Sequence, residues 1–244
     1  MTEVETTFRN LLGLRKADTN YVVNFSARFR YIYVETPKAA CSTIKRSLQF
    51  AEAGGDAARL PDNVHDRDHS PIQQIRNDPR TFRILLDDPR VIRFCFVRNP
   101  FTRALSCYLD KFVQETDAEQ RRYFHNELGI ANRRQLSFRD YLLAVKDQPD
   151  AQRNIHWMSQ SFLLQPRSMA YDFIGRFEHL QADLDRLFTR LGLPRDALQT
   201  EITHATSAGD KIKAHYGDAE LDLVRELYEE DFNSFGYGWS PRVL

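Results

Sequence analysis

Tyr31-Ile-Tyr-Val-Glu-Thr-Pro-Lys-Ala-Ala-Cys-Ser-Thr-Ile-Lys-Arg-Ser-Leu48 is the stretch on which the fold turns. Tyr31 to Glu35 is short, aromatic and β-branched, it stops before Thr36-Pro37, and apolar Ile44 and Leu48 then recur at helical spacing. The reading is strand, tight loop, helix. Further on, Arg93-Phe-Cys-Phe-Val97 is a second strand candidate, Asn99-Pro100 turns the chain, and Ala104, Leu105, Tyr108 and Phe112 follow a helical period. Two strand-to-helix units predict an α/β fold with a central parallel sheet flanked by helices. Tyr171-Asp-Phe-Ile-Gly-Arg-Phe177 alternates like a third strand, and Leu180, Leu184, Leu187, Phe188 and Leu191 lay an apolar stripe on the helix after it.

Outward from these units the sequence predicts helical additions. Ser137-Phe-Arg-Asp140 has a capping pattern that starts a helix, and Leu221 to Phe232 reads as a last helix ended by Asn233 and Gly236. Ala51 to Asp68, with Gly54, Gly55 and Pro61, is the expected long loop. At 244 residues one domain over 1–244, with its core at about 29–238, can bury a substantial core.

Lys plus Arg equal Asp plus Glu at 34 each, so no global field draws the chain to nucleic acid or an anionic membrane, and any anion site must be local. Cys41, Cys95 and Cys107 are few, odd in number and without zinc-ligand spacing, which fits a reducing compartment and no metal. Met1 to Lys16 has neither a signal-peptide core nor a run of about 20 apolar residues, so no transmembrane segment is expected.

The loop from Thr36 to Thr43 has the parts of a phosphate-binding turn. Backbone N–H groups and the helix dipole favour an anion there, Lys38 adds a mobile charge, Ser42 and Thr43 add hydroxyls, and small Ala39 and Ala40 permit close approach. An ordinary turn with a solvated lysine is the competing reading. The pattern G-x-x-x-x-G-K-[ST] and an acidic strand end for magnesium are missing, which disfavours a nucleoside triphosphatase. In the second unit Arg98 stands at a strand end and Ser106 about two turns into the following helix, a fork and a short donor suited to one phosphate. A surface ion-pair partner and a helix residue without special role are the alternatives.

These stretches resemble the carbohydrate sulfotransferase family (sulfotransferase family 2), the group that includes the chondroitin, dermatan and HNK-1 enzymes and, more distantly, heparan 2-O-sulfotransferase. Pro37-Lys38-Ala39-Ala40-Cys41-Ser42 is similar to that family's 5′-phosphosulfate loop, and Val97-Arg98-Asn99-Pro100-Phe101-Thr102-Arg103 through Ser106 and Phe112 to its 3′-phosphate motif. His156-Trp157 with Gln160, Tyr171 to Glu178 with Asp183, and Leu227-Tyr228 with Asp231-Phe232 resemble later blocks in the same order. The resemblance implies a P-loop-like three-layer fold and transfer of a sulfuryl group from 3′-phosphoadenosine-5′-phosphosulfate (PAPS) to a hydroxyl of a carbohydrate-like acceptor. It implies that Pro37, Lys38, Ala39, Ala40, Cys41, Ser42 and Thr43 bind the 5′-phosphosulfate, and Arg98 and Ser106 the 3′-phosphate. Because the family's usual anchor and stem are not seen, the expected location is the cytoplasm.

Transfer needs a base for the acceptor hydroxyl and a cation for charge on the leaving oxygen. Lys38 is the candidate cation. His65, whose position resembles that of the catalytic histidine in related enzymes, is the first candidate base, followed by His69 and Glu35. A solvated loop histidine is the alternative for His65. His156, Trp157 and Glu178 are candidates to line an acceptor cleft, with a core tryptophan and a structural glutamate as their alternatives. Arg121, Arg122, Arg133, Arg134 and Arg139 read as a solvated face rather than a site for a sulfated or carboxylated saccharide, and Ser207 to Lys211 as a mobile loop, either a lid over the nucleotide or an ordinary connection. A small-molecule kinase and a non-catalytic nucleotide-binding protein are the rival functions.

Overall fold

The computed structural model describes residues 14–130, 136–198 and 208–241. In chain order its elements are α1 (Lys16–Val22), β1 (Val23–Ser26), β2 (Tyr31–Val34), α2 (Cys41–Glu52), α3 (Pro79–Asp87), β3 (Ile92–Val97), α4 (Pro100–Tyr108), α5 (Ala118–Glu127), α6 (Phe138–Lys146), α7 (Gln160–Leu164), β4 (Phe173–Arg176), α8 (Leu180–Leu191), α9 (Ala208–His215), α10 (Asp218–Leu227) and α11 (Glu229–Phe235). The chain groups into two compact units, Met1–Val97 with Leu164–Thr203 and Arg98–Leu163 with His204–Leu244. No described helix is long and apolar enough to cross a membrane.

The first unit is built on a four-stranded sheet in the order β1-β2-β3-β4. β2, β3 and β4 run parallel, with Tyr33 opposite Phe94 and Phe96 opposite Gly175, as the strand-to-helix units require. All four residues of β2 are buried, the mark of a strand covered on both faces rather than of an amphipathic edge. One face carries Tyr31, Tyr33, Phe94 and Phe96, packed with Ile44 and Leu48 of α2 and with the α8 stripe Leu180, Leu184, Leu187, Phe188 and Leu191. Each such side chain taken fully from water contributes about 1.5–3 kcal/mol, so the stripe is the main reason α8 holds to the sheet. Gly175 is needed for close packing: a β-carbon there would stand 2.3 Å from the Phe96 ring.

Several expectations are corrected. The sheet has an antiparallel edge strand, β1, which pairs with β2 through a turn over residues 27–30. Its four residues are all buried and too few to display a period. The third strand is shorter than Tyr171 to Phe177, because Tyr171 donates its hydroxyl to Leu164 O, Asp172 accepts from Arg93 N, and Phe177–His179 already winds as a 3-10 turn. The irregular stretch starts after Glu52 rather than at Ala51, holds a short 3-10 turn at Ala57–Arg59, and continues to Asp78, which caps α3 through Thr81 N.

The second unit is helical. Every residue of α4 is buried, and Phe112, expected on the same helix, lies in a π turn over Leu109–Val113. Phe101 packs on Tyr216 and Phe232, while Tyr108, Phe112, Phe138, Tyr141 and Trp157 form an aromatic core. Ser137 caps α6 by accepting from Asp140 N, as read from the sequence. The expected last helix is two: the chain breaks at Tyr228 (φ −125°, ψ 27°), whose buried hydroxyl donates to Trp157 O.

Candidate functional site

The turn after β2 is closed by Ala39 N donating to Thr36 O at 3.2 Å, and it places both Lys38 (φ 71°) and Ala40 (φ 62°) in the left-handed region. For a residue with a β-carbon each such conformation costs about 1–2 kcal/mol, which glycine would avoid. Ala40 is the N-cap of α2 and offers no side-chain acceptor, so the first-turn amides take no cap from their own N-cap residue, and no acid stands in that turn. A helix start with these features favours a nearby anion. Cys41 within it is a neutral thiol, because burial and then the Glu35 carboxylate push it up to about 11, against the smaller pull of Lys45 and Lys38.

A polar network adjoins this turn within the same unit. The loop that carries His65 is tied to α2 by its carbonyls: Arg46 donates to Pro61 O and Asp62 O, and Gln49 to Val64 O. The His65 ring is thereby held with Nε2 at 3.0 Å from Ser42 Oγ and Nδ1 at 3.0 Å from Lys45 Nζ. Lys45 also donates to Glu35 Oε2 at 3.1 Å, and both side chains of that ion pair are almost fully buried. Tyr21 stacks on the His65 ring, with its hydroxyl 3.3 Å from Nδ1. Of the three base candidates, His65 touches the turn after β2, through Ser42. Glu35 lies buried behind Lys45, and His69 is exposed and paired with Asp66 at 2.9 Å.

The turn after β3 leads into the second unit. Arg98 N donates to Gln160 Oε1, and Gln160 Nε2 donates back to Arg98 O, both at 2.8 Å, so one side-chain amide satisfies this backbone as a neighbouring strand would. Gln160 is fixed in turn by Asp231, which accepts from the Gln160 and Ser161 amides. Burial pushes the Asp231 carboxyl above its ordinary range, with Arg103 and these amides opposing. Arg98 Nε donates to Thr102 Oγ1 at 3.1 Å, and Thr102 and Ser106 lie one turn apart on α4. The start of α4 is already capped, by Asn99 Oδ1 accepting from Phe101 N with Pro100 in the first turn. Arg103 is structural: it is buried and donates to Met158 O and Ile155 O.

Other candidates are placed elsewhere. Trp157 is wholly buried and donates Nε1 to Gln148 Oε1, so it is a core residue and offers no face to a sugar ring. His156 is held by Asn154 Oδ1 at 2.7 Å and meets Phe124 edge-on, and Glu178 sits in the 3-10 turn before α8. Arg122 and Arg139 are exposed and Arg121 donates to Glu115 O, while Arg133 and Arg134 lie outside the described residues. The loop expected over 207–211 is helical from Ala208, and Ser207 and most of the N-terminal segment Met1–Lys16 lie outside the described residues. Lys45 and Tyr21 were missed by the sequence reading. Lys45 falls in the apolar stripe of α2 beside Ile44 and Leu48, and a cation at a core position was the available signal.

The model of the Sulfotransferase family matches residues 22–238, and the chain belongs to that family. It is similar to carbohydrate sulfotransferase 14 of Danio rerio, at 32% identity over 237 residues that cover 88% of this chain and 61% of that protein. Carbohydrate sulfotransferase 8 of Homo sapiens is 28% identical over 86% of this chain and 53% of its own length. Carbohydrate sulfotransferase 11 of Danio rerio is 22% identical over 84% of this chain and 64% of its own. The chain thus spans less than two thirds of the length of these curated relatives. No solved structure gives a significant match.

Proposed function

We propose that this chain transfers a sulfuryl group from PAPS to a hydroxyl of a carbohydrate-like acceptor. The observation that carries the reading is the turn after β2, where a lysine and an alanine in left-handed conformations precede a helix start without a side-chain cap, and a histidine bonds to a serine of the same turn. Family membership and the carbohydrate sulfotransferases among the relatives support the same assignment. PAPS, when bound, supplies the sulfuryl group and a stable leaving group.

Pro37, Lys38, Ala39, Ala40, Cys41, Ser42 and Thr43 would hold the 5′-phosphosulfate through the backbone amides, the ammonium and the hydroxyls. Arg98 and Ser106 would hold the 3′-phosphate. β2 and β3 are adjacent and parallel, so both chain segments leave the same end of those two strands. Lys38 offsets charge on the leaving oxygen, and His65 takes the acceptor's proton. The three cysteines are free thiols, which supports a reducing compartment such as the cytoplasm.

Titration calorimetry with 3′,5′-adenosine bisphosphate and with ATP, followed by release of label from PAPS against a panel of sugars, tests the reading. Tight binding of the bisphosphate, weak ATP binding and transfer to a sugar are expected. ATP preferred over the bisphosphate would replace the sulfotransferase with a kinase, and binding without transfer to any hydroxyl would leave a nucleotide-binding protein.

A further inference from the structure

The ring of His65 meets a cation at one nitrogen and a hydroxyl at the other. Lys45 Nζ lies 3.0 Å from Nδ1, and an ammonium only donates, so Nδ1 carries the lone pair and the ring proton sits on Nε2, given to Ser42 Oγ at 3.0 Å. In that tautomer Nε2 has no lone pair with which to accept a proton. Glu35 supplies the other half of the arrangement. Its Oε2 accepts from Lys45 and from Asn24, whereas Oε1 is buried without a hydrogen-bond partner, 4.0 Å from His65 Nδ1. A buried carboxylate oxygen left without a donor is unfavourable, and an Nδ1–H would satisfy it after closing about 1 Å.

We propose that Glu35 and Lys45 are positioning residues that decide which nitrogen of His65 carries the proton. Lys45 holds the resting tautomer with Nδ1 as acceptor, and Glu35 Oε1 receives Nδ1–H in the form that works as a base. This rests on the assignment of His65 as the base of the sulfuryl transfer. As the bond from the acceptor oxygen to sulfur forms and the bond from sulfur to the 5′-phosphate oxygen breaks, the hydroxyl proton passes to Nε2. The resulting imidazolium is held by Glu35 through Nδ1–H and later returns one proton to water, since the ring is 31% exposed. Glu35 therefore acts through the histidine and is not itself the base.

The groups that face the ring are Tyr21 from α1, Glu35 after β2, and Ser42 and Lys45 from α2, with Arg67 over the Tyr21 ring. Burial and the Glu35 charge keep the Tyr21 phenol protonated, and the Cys41 thiol is likewise neutral, so the charges that bear on His65 are those of Glu35, Lys45 and the more distant Arg67.

Long-range proton–nitrogen spectra of the 15N-labelled full chain, with His65 assigned through H65Q, read the tautomer directly and require no donor. The Nε2–H form is expected at neutral pH. E35Q should lower the pH at which the ring titrates by on the order of one pH unit, and K45M should raise it, because one removes a negative and the other a positive neighbour. In activity, E35Q should lose at least about tenfold in kcat with the KM for PAPS within about twofold, a loss confined to the transfer step. Either single change breaks a buried pair, so the double variant E35Q/K45M, which leaves no unpaired charge, is measured beside them and should titrate near the wild type. An Nδ1–H resting tautomer, or titrations that move the same way in both single variants, overturns the proposal. Spectra as expected in a chain that transfers nothing from PAPS would uphold the network and remove the functional reading instead.

Discussion

The two strand-to-helix turns solve the start of a helix in opposite ways. After β3 the chain supplies its own cap: Asn99 accepts from Phe101 N, Pro100 needs no partner for a missing N–H, and Gln160 satisfies the Arg98 backbone on both sides. After β2 the cap position holds Ala40, without an acceptor and in a left-handed conformation. A capped helix start has less to offer an anion, so the role proposed for the second turn rests on side chains, Arg98 and Ser106. A helix start without a side-chain cap favours an anion more, and the first turn is therefore proposed to engage the donor in part through its backbone. The price of that arrangement is backbone strain at two non-glycine residues.

The largest effect expected from this contrast is on transfer itself. Lys38→Ala and Arg98→Ala should each lower kcat/KM for PAPS by about 10²–10³, with melting temperatures near that of the wild type; fixed charges aimed at developing or bound negative charge are worth that much. Wild-type turnover in both variants would leave neither turn with a binding role. A smaller effect separates the turns by kind. Asn99→Ala should cost about 1 kcal/mol in denaturant unfolding with donor KM nearly unchanged, while Ala40→Gly should change stability by under about 1 kcal/mol, since relief of the left-handed strain is opposed by chain entropy. If Asn99→Ala weakened the donor more than it destabilised the fold, the two turns would not differ as argued.

The smallest effect belongs to the histidine outside the network. The hydrogen bond with Asp66, and then that carboxylate's charge, raise His69 above its ordinary 6.5, and the same contact lowers Asp66 below its ordinary 3.8. A histidine raised on folding adds stability that is fully present below its unfolded value and is lost as pH rises through the folded one. The aspartate's contribution is lost as pH falls through its own lowered value. His69→Ala should therefore shift the melting temperature slightly near pH 5 and not at pH 9, with activity unchanged at either. A loss of transfer in His69→Ala with donor binding intact would move the base from His65 to His69.

β2 and β3 were legible as aromatic and β-branched runs that stop before Thr36-Pro37 and Asn99-Pro100, and the α8 stripe because its apolar period is long enough to count. β1 was not, since its four buried residues are bounded by no proline or turn signal, and α5 starts from an aspartate cap within polar sequence that shows little apolar stripe. The break at Tyr228 depends on a hydrogen bond to Trp157 O, 71 residues away in sequence. Of the candidate site, the residues with recognisable chemistry were named from local pattern together with the family resemblance. Lys45 could not, because its role depends on Glu35 and His65 converging on one ammonium, and local pattern holds no record of which carboxylate a buried cation will meet.

Phe96 lies across the ladder from Gly175, and its ring fills the space a β-carbon at 175 would need. Position 175 is consequently closed to variation as long as 96 stays aromatic. Libraries that vary this part of the sheet should treat the two positions as one joint choice and shrink the ring first, because the reverse order passes through variants in which a β-carbon at 175 meets the Phe96 ring.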